Sequence, residues 1–288
     1  MSTTNARNIG GGARGLASAR TLVAGLLAVA LLAPAAMGRS HDARDTSPRH
    51  SGEDFTWGGR IAAGKAIEVK GVNGEITIEP TTGDQVEVVA RKSARKSDPD
   101  EVKIEVIEHE DGVTLCAVYP TPEGEKPNEC KPGEGGRMNT RNNDVQVDFE
   151  VRVPARVRAI GRTVNGSISA HGLTADAEAY TVNGSIHIAT RGVAAASTVN
   201  GSIEAELGTS PREPLEFQTV NGGIKMTLPG DTGAELRAST VNGDIDSELP
   251  VTSYRRLSHR RLTGTIGKGG PQLRLTTVNG DIRLRASS

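Results

Sequence analysis

Apolar and polar residues alternate in short runs along most of the chain. Residues 215–218 (LEFQ), 234–237 (AELR) and 273–276 (LRLT) each place an apolar side chain at every second position. Because successive side chains of a β-strand point to opposite faces, this period of two predicts half-buried strands. The 35 glycines are spread along the sequence, and aromatic residues make up 2% of it, which fits many short strands and tight turns.

A short motif returns between these predicted strands. The core Val-Asn-Gly occurs seven times, Thr precedes it in the last six copies, and Ile stands two residues after each Gly. From Gly166 onward the copies follow each other every 16 to 21 residues, if residues 262–266 (LTGTI) are counted as a degenerate copy. The predicted turn residues are Asn73, Gly74, Asn165, Gly166, Asn183, Gly184, Asn200, Gly201, Asn221, Gly222, Asn242, Gly243, Asn279 and Gly280.

Regular spacing of this kind is typical of stacked repeats, because one copy alone cannot bury its apolar face. Asn-Gly favours the positive φ angles of a sharp turn, so antiparallel hairpins are one interpretation. Identical residues at a fixed period favour a second interpretation, in which equivalent positions lie on top of each other and asparagine side chains form hydrogen bonds from coil to coil. The sequence therefore predicts an all-β fold, a parallel single-chain β-solenoid built on Thr-Val-Asn-Gly-x-Ile repeats. Whether Thr or Val of the motif faces the core stays open.

The chain is expected to divide into four parts. Residues 156–288 hold the solenoid repeats, and residues 55–155 hold less regular strands that form an elaborated N-terminal β cap on the first coil. The last strand, near residues 282–285, is expected at the far end, where Arg283 and Arg285 would protect the sheet edge. Residues 39–54 are polar and predict a flexible leader.

Residues 1–38 have the pattern of a signal peptide. Three arginines precede the apolar run 21–32, and small residues follow it, so cleavage after Ala35 or Gly38 is expected. An uncleaved membrane anchor is the alternative, but the run is short for a span of about 20 residues and Pro34 interrupts it. The prediction is an exported protein of the periplasm or cell surface, or a secreted one, with no transmembrane domain after cleavage.

The two cysteines, Cys116 and Cys130, are predicted to form a disulfide, because an even number of cysteines in an exported chain favours pairing. Prolines and glycine between them predict a loop. Two free thiols are the alternative. Neither a redox nor a zinc-binding cysteine pair is present in the sequence.

Charge and motifs exclude several function classes. The net charge is −1, which gives no reason to expect nucleic acid as a partner. No nucleotide-binding loop, catalytic triad or metal-ligand spacing is found, so we expect no catalytic residues, no cofactor and no metal site. Asp244, Asp246 and Asp281 follow two of the turns and offer an alternative, a Ca²⁺ site or an acid–base pair acting on a polysaccharide. Serine or glycine takes the position after the turn in most other copies, which favours solvated turn residues.

One basic cluster stands out between residues 254 and 262. It is either a solvated loop or an anion-binding patch for acidic glycan, lipid headgroups or a partner protein. The candidate patch residues are Arg255, Arg256, His259, Arg260 and Arg261.

The chain resembles the bacterial putative-adhesin family of β-strand-repeat proteins, a domain of unknown function. The likeness lies in residues 57–59 (WGG), 71–78 (GVNGEITI) and 149–154 (FEVRVP) and in the Thr-Val-Asn-Gly series, which together span about residues 55–284. The resemblance implies a β-solenoid and an envelope or secreted location, and it implies no catalytic residues.

These observations predict a non-enzymatic exported protein of the cell envelope, an adhesin-like scaffold that presents a surface to an unknown envelope or cell-surface partner. One alternative is a periplasmic accessory protein of envelope sensing or assembly that uses its strand edges. The other is a polysaccharide-active β-helix enzyme.

Overall fold

The computed structural model describes residues 48–287, and within strand residues 253–258 it describes the backbone alone. The predicted signal peptide, residues 1–38, and most of the predicted leader, residues 39–54, lie outside the described residues. The division between residues 55–155 and 156–288 stays a prediction.

The described chain is almost entirely β. A single 3₁₀ turn, Pro99–Glu101, interrupts 22 strands. In chain order, β1 to β22 are His50–Ser51, Phe55–Gly59, Ala66–Lys70, Ile76–Thr81, Val86–Ala94, Lys103–His109, Gly112–Val118, Gln146–Pro154, Arg158–Arg162, Ile168–Leu173, Ala177–Tyr180, Ile186–Thr190, Ala194–Ser197, Ile203–Leu207, Leu215–Gln218, Ile224–Pro229, Ala234–Ser239, Ile245–Ser247, Val251–Ser258, Arg261–Ile266, Gln272–Thr276 and Ile282–Ser287.

The strands form two sheets of 11 strands each. The front sheet holds the strands that follow the motif asparagines, in the order β1-β5-β8-β4-β10-β12-β14-β16-β22-β18, with β2 on β5. The back sheet holds the strands that precede them, in the order β19-β20-β17-β21-β15-β13-β11-β9-β3-β7-β6. One coil is therefore a back strand, an asparagine corner and a front strand.

Neighbouring coils pair in parallel and in register. Ile168 of β10 lies beside Ile76 of β4 on one side and Ile186 of β12 on the other. The same register continues through Ile203 and Ile224, so the motif isoleucines stack as a ladder in the core. The predicted parallel β-solenoid is confirmed, and the antiparallel hairpin interpretation of the repeats is wrong.

The order of the coils in space differs from their order in the chain. The last coil, β21 and β22, lies between the coil of β15 and β16 and the coil of β17 and β18. The expectation that β22 forms the far edge, with Arg283 and Arg285 protecting it, is wrong. The outermost front strand is the three-residue β18, which makes a short edge.

The prediction that residues 262–266 form a degenerate copy of the repeat is also wrong. These residues belong to β20, which pairs antiparallel with β17 and with β19. The two strands β19 and β20 form a hairpin that extends the back sheet beyond the last repeated coil. Gly264 therefore lies within a strand and not at a corner.

In the six copies from Asn165 onward the motif threonine faces the core and the motif valine faces outward, whereas Val72 of the first copy is buried. Thr198 and Thr219 are 2% and 1% exposed, whereas Val164 and Val241 are 39% and 55% exposed. The phase of the alternation changes at the corner because Thr continues the inward positions of the back strand and Ile begins those of the front strand.

At the N-terminal end, β7 and β8 stack on the first coil, which consists of β3 and β4. The segment between β7 and β8 replaces a Val-Asn-Gly corner, and the Tyr119 hydroxyl donates to the Val145 carbonyl across it at 2.9 Å. Burial raises the pKa of the Tyr119 phenol to about 12. Cys116 and Cys130 form the predicted disulfide in this segment.

Candidate interaction surface

The corner between the sheets is built from contacts between coils. The hydroxyl of each motif Thr donates to the carbonyl oxygen of the motif Gly one coil before it in the stack, at 2.8 to 3.2 Å. Thr198 Oγ1, for example, lies 2.9 Å from Gly184 O. A buried hydroxyl thus satisfies a carbonyl that the parallel ladder leaves open at the corner.

The motif glycine is required by the closeness of the next coil. A Cβ on Gly201 would lie 2.0 Å from Gly184 O. In the other six motif glycines a Cβ would lie 1.8 to 2.1 Å from a carbonyl oxygen, which belongs to the motif glycine of the neighbouring coil or, for Gly74, to Val147. No motif asparagine has a positive φ angle. The positive-φ turn expected from Asn-Gly is therefore not what selects these residues in most coils.

The motif asparagines form a continuous side-chain ladder. From Asn165 onward, each Nδ2 donates to the Oδ1 of the asparagine one coil before it in the stack, at 2.7 to 2.8 Å. Their backbones form parallel bridges in the same order. The rungs, in spatial order, are Asn73, Asn165, Asn183, Asn200, Asn221, Asn279 and Asn242.

An outward valine stands beside each rung from Asn165 onward. We call these paired rows the Val-Asn stripe. Val164, Val182, Val241 and Val278 are the large apolar side chains most exposed in the described chain, at 36% to 55%. With strands spaced about 4.8 Å apart, seven rungs span about 29 Å. The stripe is a regular surface in which a row of valine methyls runs beside a row of asparagine amides. The valine row has the same spatial order as the asparagines: Val164, Val182, Val199, Val220, Val278 and Val241.

A polar cleft of about 540 Å³ lies at the N-terminal end of the stripe, between Asn73 and Asn165 and the cap segment that includes Asp144. The Asp144 carboxylate accepts backbone N–H bonds from Ser97 at 2.9 Å and from Arg95 at 2.9 Å. These bonds, with that of Ser97 the strongest, hold the pKa of Asp144 well below its usual range. Asp144 fixes the loop after β5 against the cap, which is a structural task.

The outer face of the front sheet carries ion pairs between coils. Glu204 accepts from Lys225 at 2.6 Å and lies 3.5 Å from His187, and the hydrogen bond from Lys225 lowers the pKa of Glu204. His187 faces solvent, as the alternation at β12 predicts. These exposed pairs contribute little to stability.

The three candidate aspartates lie in or just before the neighbouring front strands β18 and β22, and the carboxylates of Asp246 and Asp281 bind partners. Asp281 accepts from Arg283 at 2.9 Å and from the Asp244 backbone N–H at 3.1 Å. Arg285 donates to Asp246 at 3.0 Å. Among the described residues no three His, Cys, Asp or Glu side chains gather as metal ligands.

On the back sheet, a charged network holds the disulfide loop. Lys70 Nζ donates to the carbonyls of Lys131, Gly133 and Gly135 at 2.8 to 2.9 Å. Desolvation is the main cause that lowers the pKa of Lys70.

The neighbouring carboxylate belongs to the same network. Glu68 is 3% exposed and accepts from Arg162, Thr114 and the Gly133 backbone at 2.8 to 2.9 Å. Arg162 also stacks over the Tyr180 ring at 4.1 Å. The sequence alone did not reveal this network, because its members are far apart along the chain: Glu68 and Arg162 are separated by 94 residues. The one signal in the sequence was a charged residue, Glu68, within the apolar strand β3.

The basic patch lies at the C-terminal end of the back sheet. Arg255 and Arg256 belong to β19, where side chains are outside the description, and His259, Arg260 and Arg261 are exposed at and after the β19–β20 turn. The patch as an anion-binding site stays a prediction.

Comparison with known families supports the architecture. The model of the Toastrack DUF4097 family matches residues 162–285, which contain six of the seven asparagine rungs. The Toastrack match covers the coils from β10 through β22 and assigns no activity.

Solved structures similar to this chain are distant in sequence. A putative cell adhesion protein from Clostridium sporogenes is 8% identical, with 82% of this chain and 99% of that chain covered and a TM-score of 0.44. A putative adhesin from Bacteroides fragilis is 11% identical, with 82% and 97% covered and a TM-score of 0.26. A putative lipid binding protein from Parabacteroides distasonis is 8% identical, with 82% and 98% covered and a TM-score of 0.21. No curated protein matches the chain.

Proposed function

We propose that this protein is an exported, non-enzymatic scaffold of the cell envelope, and that it presents the Val-Asn stripe to an envelope or cell-surface partner in an adhesin-like role. The observation that carries the proposal is the stripe itself. It exposes valines at a fixed spacing, on a scaffold whose corner hydrogen bonds are all made between coils.

Rigidity makes such a stripe suitable for binding. Each valine is held by a buried threonine before it and a bonded asparagine after it, so little conformational entropy remains to be lost on association. Exposed apolar side chains in a contiguous row are typical of interaction surfaces. Within residues 48–287 there is also no helix long and apolar enough to cross a membrane.

The location is tested by protease treatment of intact and permeabilised cells, with a periplasmic marker protein as the control. Cleavage on intact cells, with the marker uncut, supports surface presentation. Cleavage only after permeabilisation excludes an adhesin role and favours the alternative, a periplasmic accessory protein of envelope sensing or assembly.

The role of the stripe is tested by attachment of cells that carry the double variant Val182→Ser and Val241→Ser. We expect attachment to fall relative to the parent, because two exposed apolar contacts are lost. The matched control is Thr227→Ser, on the outer face of β16 and away from the stripe. Unchanged attachment of the double variant would exclude the stripe as the binding surface.

The polysaccharide-active alternative has its own test. Replacing Asp244, Asp246 and Asp281 by Asn would abolish glycan cleavage if these carboxylates were catalytic. The bonds of Asp281 to Arg283 and of Asp246 to Arg285 instead support a structural role for these two carboxylates, in which their replacement changes stability alone.

A further inference from the structure

Among the described residues, the back sheet ends in two long strands, each paired on one side. β6, Lys103–His109, pairs with β7 at the N-terminal end, and β19, Val251–Ser258, pairs with β20 at the C-terminal end. The strands have seven and eight residues. A free edge of this length offers a row of backbone donors and acceptors to another strand.

The two edges carry opposite charge. Residues 103–111 (KIEVIEHED), which include β6 and the turn after it, have a net charge of −3. Residues 251–261 (VTSYRRLSHRR), which include β19 and its turn, have a net charge of +4 and no acidic residue. Glu105 and Glu108 on the first edge and Arg261 beside the second are exposed.

Both ends also leave apolar side chains partly uncovered. Ile104 and Val106 of β6 pack against one end of the core and are half-buried. Val251 and Leu262 do the same at the opposite end. Another strand at either edge would remove further apolar surface from water.

We propose that β6 of one copy of this chain pairs with β19 of a second copy, so that the back sheet continues head to tail from copy to copy. Charge selects this pairing, since two β6 edges repel each other, two β19 edges repel each other, and the mixed pair attracts. Because the contact joins different surfaces, it is heterologous and can repeat along a row of molecules. Every copy would then continue the stripe of the next, but the pairing does not depend on what the stripe binds.

The experiment is sedimentation velocity of the purified protein over a concentration series. It is run at about 0.01 M salt, where charges act over about 30 Å, and at about 1 M, where they act over about 3 Å. We expect assemblies larger than dimers that grow with concentration at low salt and dissociate at high salt. A parent protein that is monomeric throughout, or that stops at a dimer, overturns the proposal.

Charge reversal identifies the edges. One variant carries Glu105→Lys, Glu108→Lys and Glu110→Lys, and the other carries Arg255→Glu, Arg256→Glu and Arg261→Glu. Each alone should remain monomeric at low salt. An equal mixture should assemble again, because the reversed β6 of the first variant attracts the reversed β19 of the second, while their unchanged edges also attract each other.

Circular dichroism and the unfolding midpoint of each variant verify that it is folded. The mixture is the decisive measurement, since two misfolded proteins would not recover assembly on mixing. Folded variants that assemble separately, or a mixture that stays monomeric, would contradict pairing between β6 and β19. Assembly that requires an added acidic protein would assign the basic edge to a different partner.

Discussion

At the scale of single residues, the motif is explained by the coil beside it. Thr198 is needed because the Gly184 carbonyl points at it, Gly201 because that same carbonyl leaves no room for a Cβ, and Asn200 because its amide bonds to asparagines on both sides. Only stacked coils require all three residue types at once, which is why the motif repeats so faithfully.

The glycine requirement predicts that Gly201→Ala destabilises the protein. Its Cβ would lie 2.0 Å from Gly184 O, so the two coils must separate locally, and overpacking of this kind costs about 1–3 kcal/mol. The measurement is the free energy of unfolding in urea. The control is Gly230→Ala, where a Cβ would meet nothing within 4 Å and the change should be neutral or slightly stabilising. Equal effects at the two sites would show that close approach does not select the motif glycine.

The buried hydroxyl predicts a cost for Thr198→Val. Valine has nearly the shape of threonine, so the main loss is the bond to Gly184 O, and an unsatisfied buried carbonyl costs about 1–3 kcal/mol. Thr227→Val, on the outer face of β16, is the control and should change the unfolding free energy by less than about 0.5 kcal/mol. A Thr198→Val protein as stable as the parent would mean that the hydroxyl contributes nothing at the corner.

At the scale of elements, the strands and their parallel stacking could be predicted from the alternation and from the identical motifs. Which motif residue faces inward could not, because Thr and Val are adjacent and both suit a core. The choice is made by a hydrogen bond to a carbonyl of another coil, and the sequence does not show where that carbonyl lies. The disulfide could be predicted from the even number of cysteines and the predicted signal peptide, but its attachment to the back sheet through Lys70 could not.

The disulfide loop is predicted to contribute strongly to stability. Cys116 and Cys130 are 14 residues apart, and a crosslink over a loop of this size stabilises by about 3 kcal/mol. Reduction, or the double change to Ser, should lower the unfolding free energy by about that amount. Reductant added to the double variant is the control and should have no effect. If reduction leaves the parent's unfolding midpoint unchanged, the loop is held by other contacts such as those of Lys70.

Acid stability depends in part on Asp144. Its pKa is lowered in the folded protein, so the ionised carboxylate stabilises the fold above its unfolded-state pKa of about 4. This contribution is lost as the pH falls through the lowered pKa, because the backbone N–H groups of Ser97 and Arg95 lose their charged acceptor. Asp144→Asn should therefore be less stable than the parent at neutral pH and should lose less stability on acidification. Parallel pH profiles for the two proteins would contradict this.

At the scale of the whole molecule, the order of the coils carries the least sequence signal. Every coil offers the same ladder of Thr, Asn and Ile to its neighbours, so the repeats alone do not specify which coil lies beside which. The chain forms β17 to β20 before it forms the last coil. The front strands β16 and β18 do not pair with each other, and β22 lies between them. Sequence reasoning assumed chain order and therefore placed β22 at the edge.

An interior last coil predicts the effect of truncation after Gly270. Removing β21 and β22 takes away the strands that join β15 to β17 and β16 to β18, and it exposes Phe217 and Leu236, which are fully buried. Residues 234–266 should lose their attachment to the remaining coils and become sensitive to protease, whereas the coils from β9 to β16 should resist it. The control is removal of residues through 53, which among the described strands deletes only the two-residue edge strand β1 and should leave the digestion pattern of the remaining coils unchanged. If truncation after Gly270 left residues 234–266 as resistant as in the parent, β17 would have to pair directly with β15, and chain order would after all be the order of the stack.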